Sequence, residues 1–155
     1  MAPERPHGRF LAGEAGELVG VSGTTIGQWA RRGYIRASRS TGDPHVYSLE
    51  DVAEAWVVHA LLERGVGHAM VRRTIDALSG HGDWPLLDVA LATTDGGAPV
   101  VLLCESDGIY ALSGRGWQRL AVRPALRALS PPGAIGVLVR TDDMSADAPV
   151  PVNGR

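Results

Sequence analysis

With 45% hydrophobic and 21% charged residues among its 155, the chain has the composition of a folded protein and not of a disordered or fibrous one. Its formal net charge of −2 does not by itself indicate a polyanionic ligand, so nucleic-acid binding must depend on a local basic cluster. A single cysteine excludes an internal disulfide and a cysteine-based zinc site. Because the sequence has no apolar run of membrane length and no apolar leader, we expect a cytoplasmic protein.

Two short helices around a tight turn are predicted at the start of the chain. The first covers residues 12–19 and ends at Gly20, which can adopt the left-handed conformation that terminates helices. The second begins after Ser22, a natural N-cap, and runs over residues 23–32 to Gly33. This order of elements is the helix-turn-helix pattern.

A hairpin is predicted after the second helix. Residues 34–37 and 45–47 can form two short strands, and residues 40–44 between them contain the glycine and proline of a turn. A hairpin in this position is a candidate wing.

Two further helices follow the hairpin. Ser48 and Asp51 have the spacing of a capping box, and the apolar residues after them recur at the intervals of one buried helix face. Gly65 ends this third helix, and a fourth is predicted over residues 68–79.

The second half of the chain is predicted to form a mostly antiparallel sheet. Its short apolar runs are separated by turn residues, and Asp107-Gly108 indicates a hairpin turn. Residues 124–129 are predicted as one short helix. The predicted strands are residues 87–93, 100–105, 109–112, 117–120 and 135–140.

These elements predict an α+β protein, with an N-terminal winged helix-turn-helix of four helices and a β-hairpin wing, followed by a small mostly antiparallel β-rich domain. We place the DNA-binding domain at residues 8–80 and the second domain at 83–140, because the glycine-rich segment between them marks a change of pattern. Residues 141–155 are expected to be a flexible tail.

The second helix has one apolar and one polar side. Ile26 and Trp29 fall on the apolar side, which we expect to be buried. Four arginines occur between residues 31 and 39 without an acidic residue, which makes this the strongest basic cluster in the chain. A polar helix face can also simply be solvated, so this pattern alone leaves both interpretations open. The polar side carries Thr24, Thr25, Gln28, Arg31 and Arg32.

The N-terminal half resembles the winged helix-turn-helix of MerR-like transcriptional regulators over residues 10–79. The resemblance lies in the order of a helix, a valine-serine turn, a recognition helix ending in arginine and glycine, a wing, and a tyrosine-serine start to the third helix. The matching runs are residues 11–15 (LAGEA), 21–26 (VSGTTI), 29–35 (WARRGYI) and 46–52 (VYSLEDV).

The resemblance implies which residues contact DNA. From the recognition helix they are Thr24, Thr25, Gln28, Arg31 and Arg32; from the wing they are Arg36, Arg39 and Tyr47. Two family features are missing from this sequence: no long heptad run follows Leu78 to form a dimerising coiled coil, and Cys104 alone cannot form the cysteine sites of the family's metal sensors.

We therefore predict a nucleoid-associated transcriptional regulator that binds double-stranded DNA as a homodimer. Two alternatives remain open: an antitoxin whose C-terminal domain holds a toxin, and a protein-interaction module that does not bind DNA. The C-terminal domain is expected to serve dimerisation, a protein partner or a small-molecule effector.

No catalytic, metal or cofactor site is predicted. The pairs His59 with Glu63 and His81 with Asp83 lack a third ligand at a recognisable spacing. No phosphate-binding loop or nucleophile motif occurs, so we do not expect an enzyme.

Overall fold

The computed structural model describes residues 10–37 and 46–131 of the chain. Within these residues the helices come first and the strands second, which agrees with the predicted α+β class. The helices are α1 (Ala12–Val19), α2 (Gly23–Arg31), α3 (Leu49–Glu63), α4 (His68–Ala77) and α5 (Pro85–Asp88). The strands are β1 (Ala90–Thr94), β2 (Val101–Glu105), β3 (Gly108–Ser113), β4 (Gly116–Arg119) and β5 (Leu126–Ala128).

A tight turn joins α1 to α2. Gly20 ends α1 with a φ of 102°, a conformation that glycine adopts without steric cost. The Ser22 hydroxyl accepts a hydrogen bond of 3.0 Å from the Thr25 backbone N–H and so caps α2. The helices lie so close together that a Cβ added to Gly16 would collide with the Val21 carbonyl oxygen. Local sequence signals thus fix the geometry of this helix pair.

Helix α3 is the centre of the fold and packs against α1, α4 and α5. Its predicted capping box is present: the Asp51 N–H donates to Ser48 Oγ at 3.0 Å, and the Ser48 N–H donates to Asp51 Oδ2 at 2.9 Å. Most of its residues are buried, including Val58 and Leu61 at 0% exposure. A helix surrounded in this way carries apolar residues on most of its circumference.

The predicted wing lies partly outside the described residues, because residues 38–45 contain its turn and one of its arginines. On the described side, residues 34–37 are not part of a strand, and Tyr34 and Ile35 are buried. Tyr47 forms an isolated antiparallel bridge with Phe10, with both backbone hydrogen bonds at 2.8 Å. Among the described residues of the predicted hairpin, Tyr47 therefore pairs with Phe10, two residues before α1.

The strands form one antiparallel sheet in the order β4-β3-β2-β1-β5. Its first four strands are sequential neighbours, and β5 returns to pair with β1 on the far side. The β2–β3 hairpin has the predicted position, but Glu105 pairs with Gly108, so its two loop residues are Ser106 and Asp107.

Two predictions for the second half were wrong. The segment predicted as a helix over residues 124–129 contains strand β5, because Leu126, Arg127 and Ala128 pair with β1 and the non-local backbone bonds outweigh local preference. The strand predicted over residues 87–93 begins only at Ala90, since α5 occupies residues 85–88 with its proline at the first helical position.

One hydrophobic cluster runs through both halves of the molecule. It contains Ile26 of α2, Leu61 of α3 and Leu103 of β2, so the helices and the sheet share a core. A smaller cluster of Ala92, Leu102 and Ile109 lies apart from it in the sheet. None of the described helices has the length and apolarity needed to cross a membrane.

A candidate nucleic-acid interface

Helix α2 separates its apolar and polar residues between two faces. Ile26 and Trp29 are buried at 0% and 4% exposure and anchor the helix to the core, as predicted for the apolar side. The opposite side is exposed, and four of the five residues predicted on it lie in solvent. These four, Thr24, Gln28, Arg31 and Arg32, are called here the α2 surface.

Thr25 is placed differently from the other predicted contacts of α2. Its side chain is half-buried, and its hydroxyl oxygen accepts a hydrogen bond of 3.0 Å from the Ser22 hydroxyl. Because its backbone N–H also donates to Ser22, this residue helps to hold the start of the helix. Its predicted contact with DNA stays a prediction.

An aromatic contact brings α4 next to the end of α2. The Tyr34 hydroxyl lies 3.0 Å from His68 Nδ1, and the two rings stack with centroids 5.9 Å apart. The guanidinium groups of Arg32 and Arg72 lie 5.9 and 5.3 Å from the centre of the Tyr34 ring, within the range of cation–π attraction. The basic surface at the end of α2 therefore extends to α4.

His68 and Arg72 were not among the predicted site residues. Both belong to the fourth predicted helix, and only the fold shows that its first turns lie beside Tyr34. The sequence contained one usable signal, an aromatic residue directly after the glycine that ends α2. Such a residue must pack against some other element, but the sequence does not say which one.

Arg36 is tied to the segment between α4 and α5. Its guanidinium lies 3.5 Å from Asp83 Oδ1 and donates a 3.4 Å hydrogen bond to the Asp83 carbonyl oxygen. It also lies over the Trp84 ring at 5.6 Å from the centroid. By contrast, neither Arg31 nor Arg32 has an acidic partner among the described residues. Part of the Arg36 guanidinium is therefore already engaged by an acidic residue within the described structure, unlike those of Arg31 and Arg32.

Tyr47 lies in the core rather than on the surface, with 2% of its area exposed. Burial raises the pKa of its hydroxyl, as does the nearby Asp51, while Arg31 acts in the opposite direction. This placement does not support the contact with DNA predicted for Tyr47. Arg39, the remaining predicted residue, lies outside the described residues.

Three carboxyl-bearing residues of α3 are buried, Glu50, Asp51 and Glu54, and two of them bond to the chain around α5. Asp51 Oδ1 accepts a 2.9 Å hydrogen bond from the Trp84 indole, and Glu54 Oε2 accepts one of 2.8 Å from the Leu86 N–H. Burial raises the pKa of Asp51 and raises that of Glu54 to about 8. These groups fix the chain around α5 to α3. In the described part of the chain, no three histidine, cysteine or acidic residues lie together as a metal site would require.

Residues 11–78 match the family model described as MerR HTH family regulatory protein. This match confirms the resemblance predicted for the N-terminal half of the sequence. No curated protein and no solved structure matches the chain. The region that contains α1 to α4 is therefore similar to the MerR helix-turn-helix family of regulatory proteins.

Proposed function

We propose that α2 is a recognition helix that places the α2 surface in the major groove of double-stranded DNA, and that the protein regulates transcription. The main observation that supports this proposal is that α2 has two different sides. Ile26 and Trp29 fix the helix to the core, and its opposite side is exposed and basic. The family match supports the same function, because the matched proteins are described as regulatory.

The residue types on the α2 surface suit separate tasks. Gln28 can hydrogen-bond to base edges in the major groove, and Thr24 can contact bases or phosphates. Arg31 and Arg32 near the end of the helix can neutralise phosphates and fix the orientation of the protein. Arg72 lies over the same Tyr34 ring as Arg32, but its ion pair with Asp76 at 3.7 Å offsets part of its positive charge.

We further propose the organisation that this function requires. One helix-turn-helix head would bury only about 600–1,000 Å² on DNA, so two copies bound to two half-sites are expected. This proposal includes a winged form of the helix-turn-helix head and a location with the nucleoid. It also includes a division of the chain into domains at residues 8–80 and 83–140, with a tail over residues 141–155. The family match also favours a regulator without enzymatic activity.

The test is fluorescence anisotropy with a labelled duplex of random sequence over a salt series. We expect Arg31→Ala/Arg32→Ala to weaken binding at least tenfold at low salt, and to reduce the log–log salt slope by about 1.8, or about 0.9 for each lost phosphate contact. Arg115→Ala/Arg123→Ala removes the same charge from exposed positions in the sheet region and should leave binding within about twofold. No binding at low salt, or equal losses in both double variants, would contradict the proposal.

A further inference from the structure

A cavity of about 300 Å³ lies where the helical region meets α5. Its walls come from the segment after α2, from α3, from the end of α4 and from the residues before α5. Among the lining residues are Ile35, Arg36, Glu54, Ser79 and Leu86. This volume is at the lower end of the range for small-molecule sites, which indicates a ligand of modest size.

Glu54 forms part of the floor of this cavity. Only 2% of its area is exposed, and its Oε2 accepts the hydrogen bond from the Leu86 N–H. Its other carboxyl oxygen, Oε1, has no hydrogen-bond partner among the described residues. A buried polar atom without a partner costs free energy, and a ligand that donates a hydrogen bond to it would recover that cost.

The charges around the cavity favour a positively charged ligand. Three carboxyl groups line it, from Glu54, Asp76 and Asp83, against the single guanidinium of Arg36. The two aspartates are exposed and lie 3.7 and 3.5 Å from Arg72 and Arg36 respectively, so they shape the potential at the rim. Of the three carboxyl groups, only that of Glu54 is buried.

We propose that this cavity binds a small organic cation that carries a primary ammonium group, with the ammonium nitrogen donating to Glu54 Oε1. The apolar walls from Ile35, Ile75 and Leu86 would contact the carbon part of the ligand. The ligand would also contact Arg36, for which the family resemblance implies a contact with DNA. Only this last link to DNA rests on the proposed function, because binding of the cation does not require it.

Proton release should accompany binding. Burial raises the pKa of Glu54 to about 8, so below that pH the empty cavity holds a neutral carboxyl group, whereas an ammonium ligand favours the carboxylate. Affinity for the cation should therefore rise about tenfold per pH unit up to about pH 8 and then level off. The charged groups that face or surround this carboxyl group are Asp51 of α3, Asp88 of α5, Arg36 after α2, Asp76 of α4 and Asp83 before α5.

The experiment is a titration of the ¹⁵N-labelled full chain, without DNA, with phenethylammonium and tryptammonium chlorides up to about 10 mM at pH 8. We expect saturable shifts of the amide signals of Gly33, Gly80 and Gly82, which line the cavity. The uncharged probe 2-phenylethanol should give no saturable shift. Saturation that the alcohol reproduces, or no saturation with either ammonium probe, would overturn the proposal.

Three variants assign the binding to the cavity. Glu54→Gln should weaken the ammonium probes at least tenfold and abolish the pH dependence, whereas Glu63→Gln, on the exposed side of the same helix, should change neither. The glutamine oxygen can still accept from the Leu86 N–H, and thermal unfolding would check that the fold is kept. Ser79→Trp, at an exposed position, should fill the cavity and block binding. Unchanged affinity in folded Glu54→Gln or in Ser79→Trp would refute the assignment.

Discussion

The α2 surface and the junction between the helices and the sheet use the same kinds of residue for different purposes. On the α2 surface, Arg31 and Arg32 are exposed and lack acidic partners in the described structure. At the junction, Arg64 donates to Thr93 Oγ1 and to the carbonyl oxygens of Arg127 and Ala128 at 2.9–3.0 Å. An exposed charge without an acidic partner is available to an anionic ligand, whereas a charge held by several acceptors stabilises the fold. Changes at the two places should therefore have separable effects.

The largest expected effect comes from the shared core. Leu61→Ala removes a fully buried side chain of α3 and should lower the free energy of unfolding by about 2–5 kcal/mol. Because one cluster includes helices and sheet, far-ultraviolet circular dichroism and tryptophan fluorescence should report a single transition in urea. Val122→Ala, at 78% exposure, should stay within about 0.5 kcal/mol of the parent. Two separate transitions would show that the regions unfold independently.

The buried carboxyl group at the junction should make stability depend on pH. The pKa of Glu54 is about 8 in the fold against 4.5 in the unfolded chain, so between these values the folded state binds more protons. Its contribution to the free energy of unfolding is therefore complete below pH 4.5 and is lost as the pH rises through about 8.

Urea unfolding at several pH values would measure this dependence. Between pH 4.5 and about 8, Glu54→Gln should lose up to a few kcal/mol less free energy of unfolding than the parent. Glu63→Gln should show the same dependence of this free energy on pH as the parent. Identical pH profiles for the parent and Glu54→Gln would mean that this carboxyl group titrates normally. The raised pKa of Asp51 acts in the same direction, so some pH dependence should remain in the variant.

A smaller effect is expected from the arginine that joins α3 to the sheet. Arg64→Ala leaves the acceptors on β1 and β5 without their donor and should cost about 1–3 kcal/mol of unfolding free energy. Hydrogen exchange should become faster at the amides of β5, the short edge strand. Arg115→Ala, in the exposed turn between β3 and β4, provides the matched loss of charge. A stability equal to that of Arg115→Ala would show that these bonds contribute little.

The smallest expected effect concerns the local signal that starts the proposed recognition helix. Ser22→Ala removes the cap of α2 and should lower the free energy of unfolding by about 1 kcal/mol, and Ser79→Ala at an exposed position should not. Binding to a random duplex should also weaken in the first variant, since the α2 surface depends on this helix. If Ser22→Ala is destabilised as expected but binds the duplex with the affinity of the parent, DNA binding does not depend on the start of α2.

The same contrast explains what the sequence could predict. The start of α2 at Ser22, the capping box that begins α3, and the glycines that follow α1, α2 and α3 are local signals, and the helices they predict are present. The helix predicted over residues 124–129 was wrong because pairing with β1 decides the conformation of that segment. Propensity cannot report such a long-range partner.

In the candidate site, too, the sequence predicted the features that depend on local spacing and missed those that depend on distant contacts. Helical spacing identified the exposed side of α2, which includes Gln28 and Arg32, from residues close together in sequence. The stack of Tyr34 on His68 joins residues that are 34 positions apart, and the buried Tyr47 pairs with the distant Phe10. Only the fold shows these contacts, so the α4 part of the basic surface could not be derived from the pattern.

The central claim, that α2 presents a DNA-binding surface, is tested most directly by a ¹⁵N NMR titration of the full chain with a short random duplex at low salt. We predict that the amide signals of α2, with those of Gly33 and His68 beside it, shift or broaden on binding and recover when salt is added. The signals of β2 to β4 should change least. Perturbations confined to the sheet strands, or none in α2 under conditions in which the duplex binds, would contradict the account.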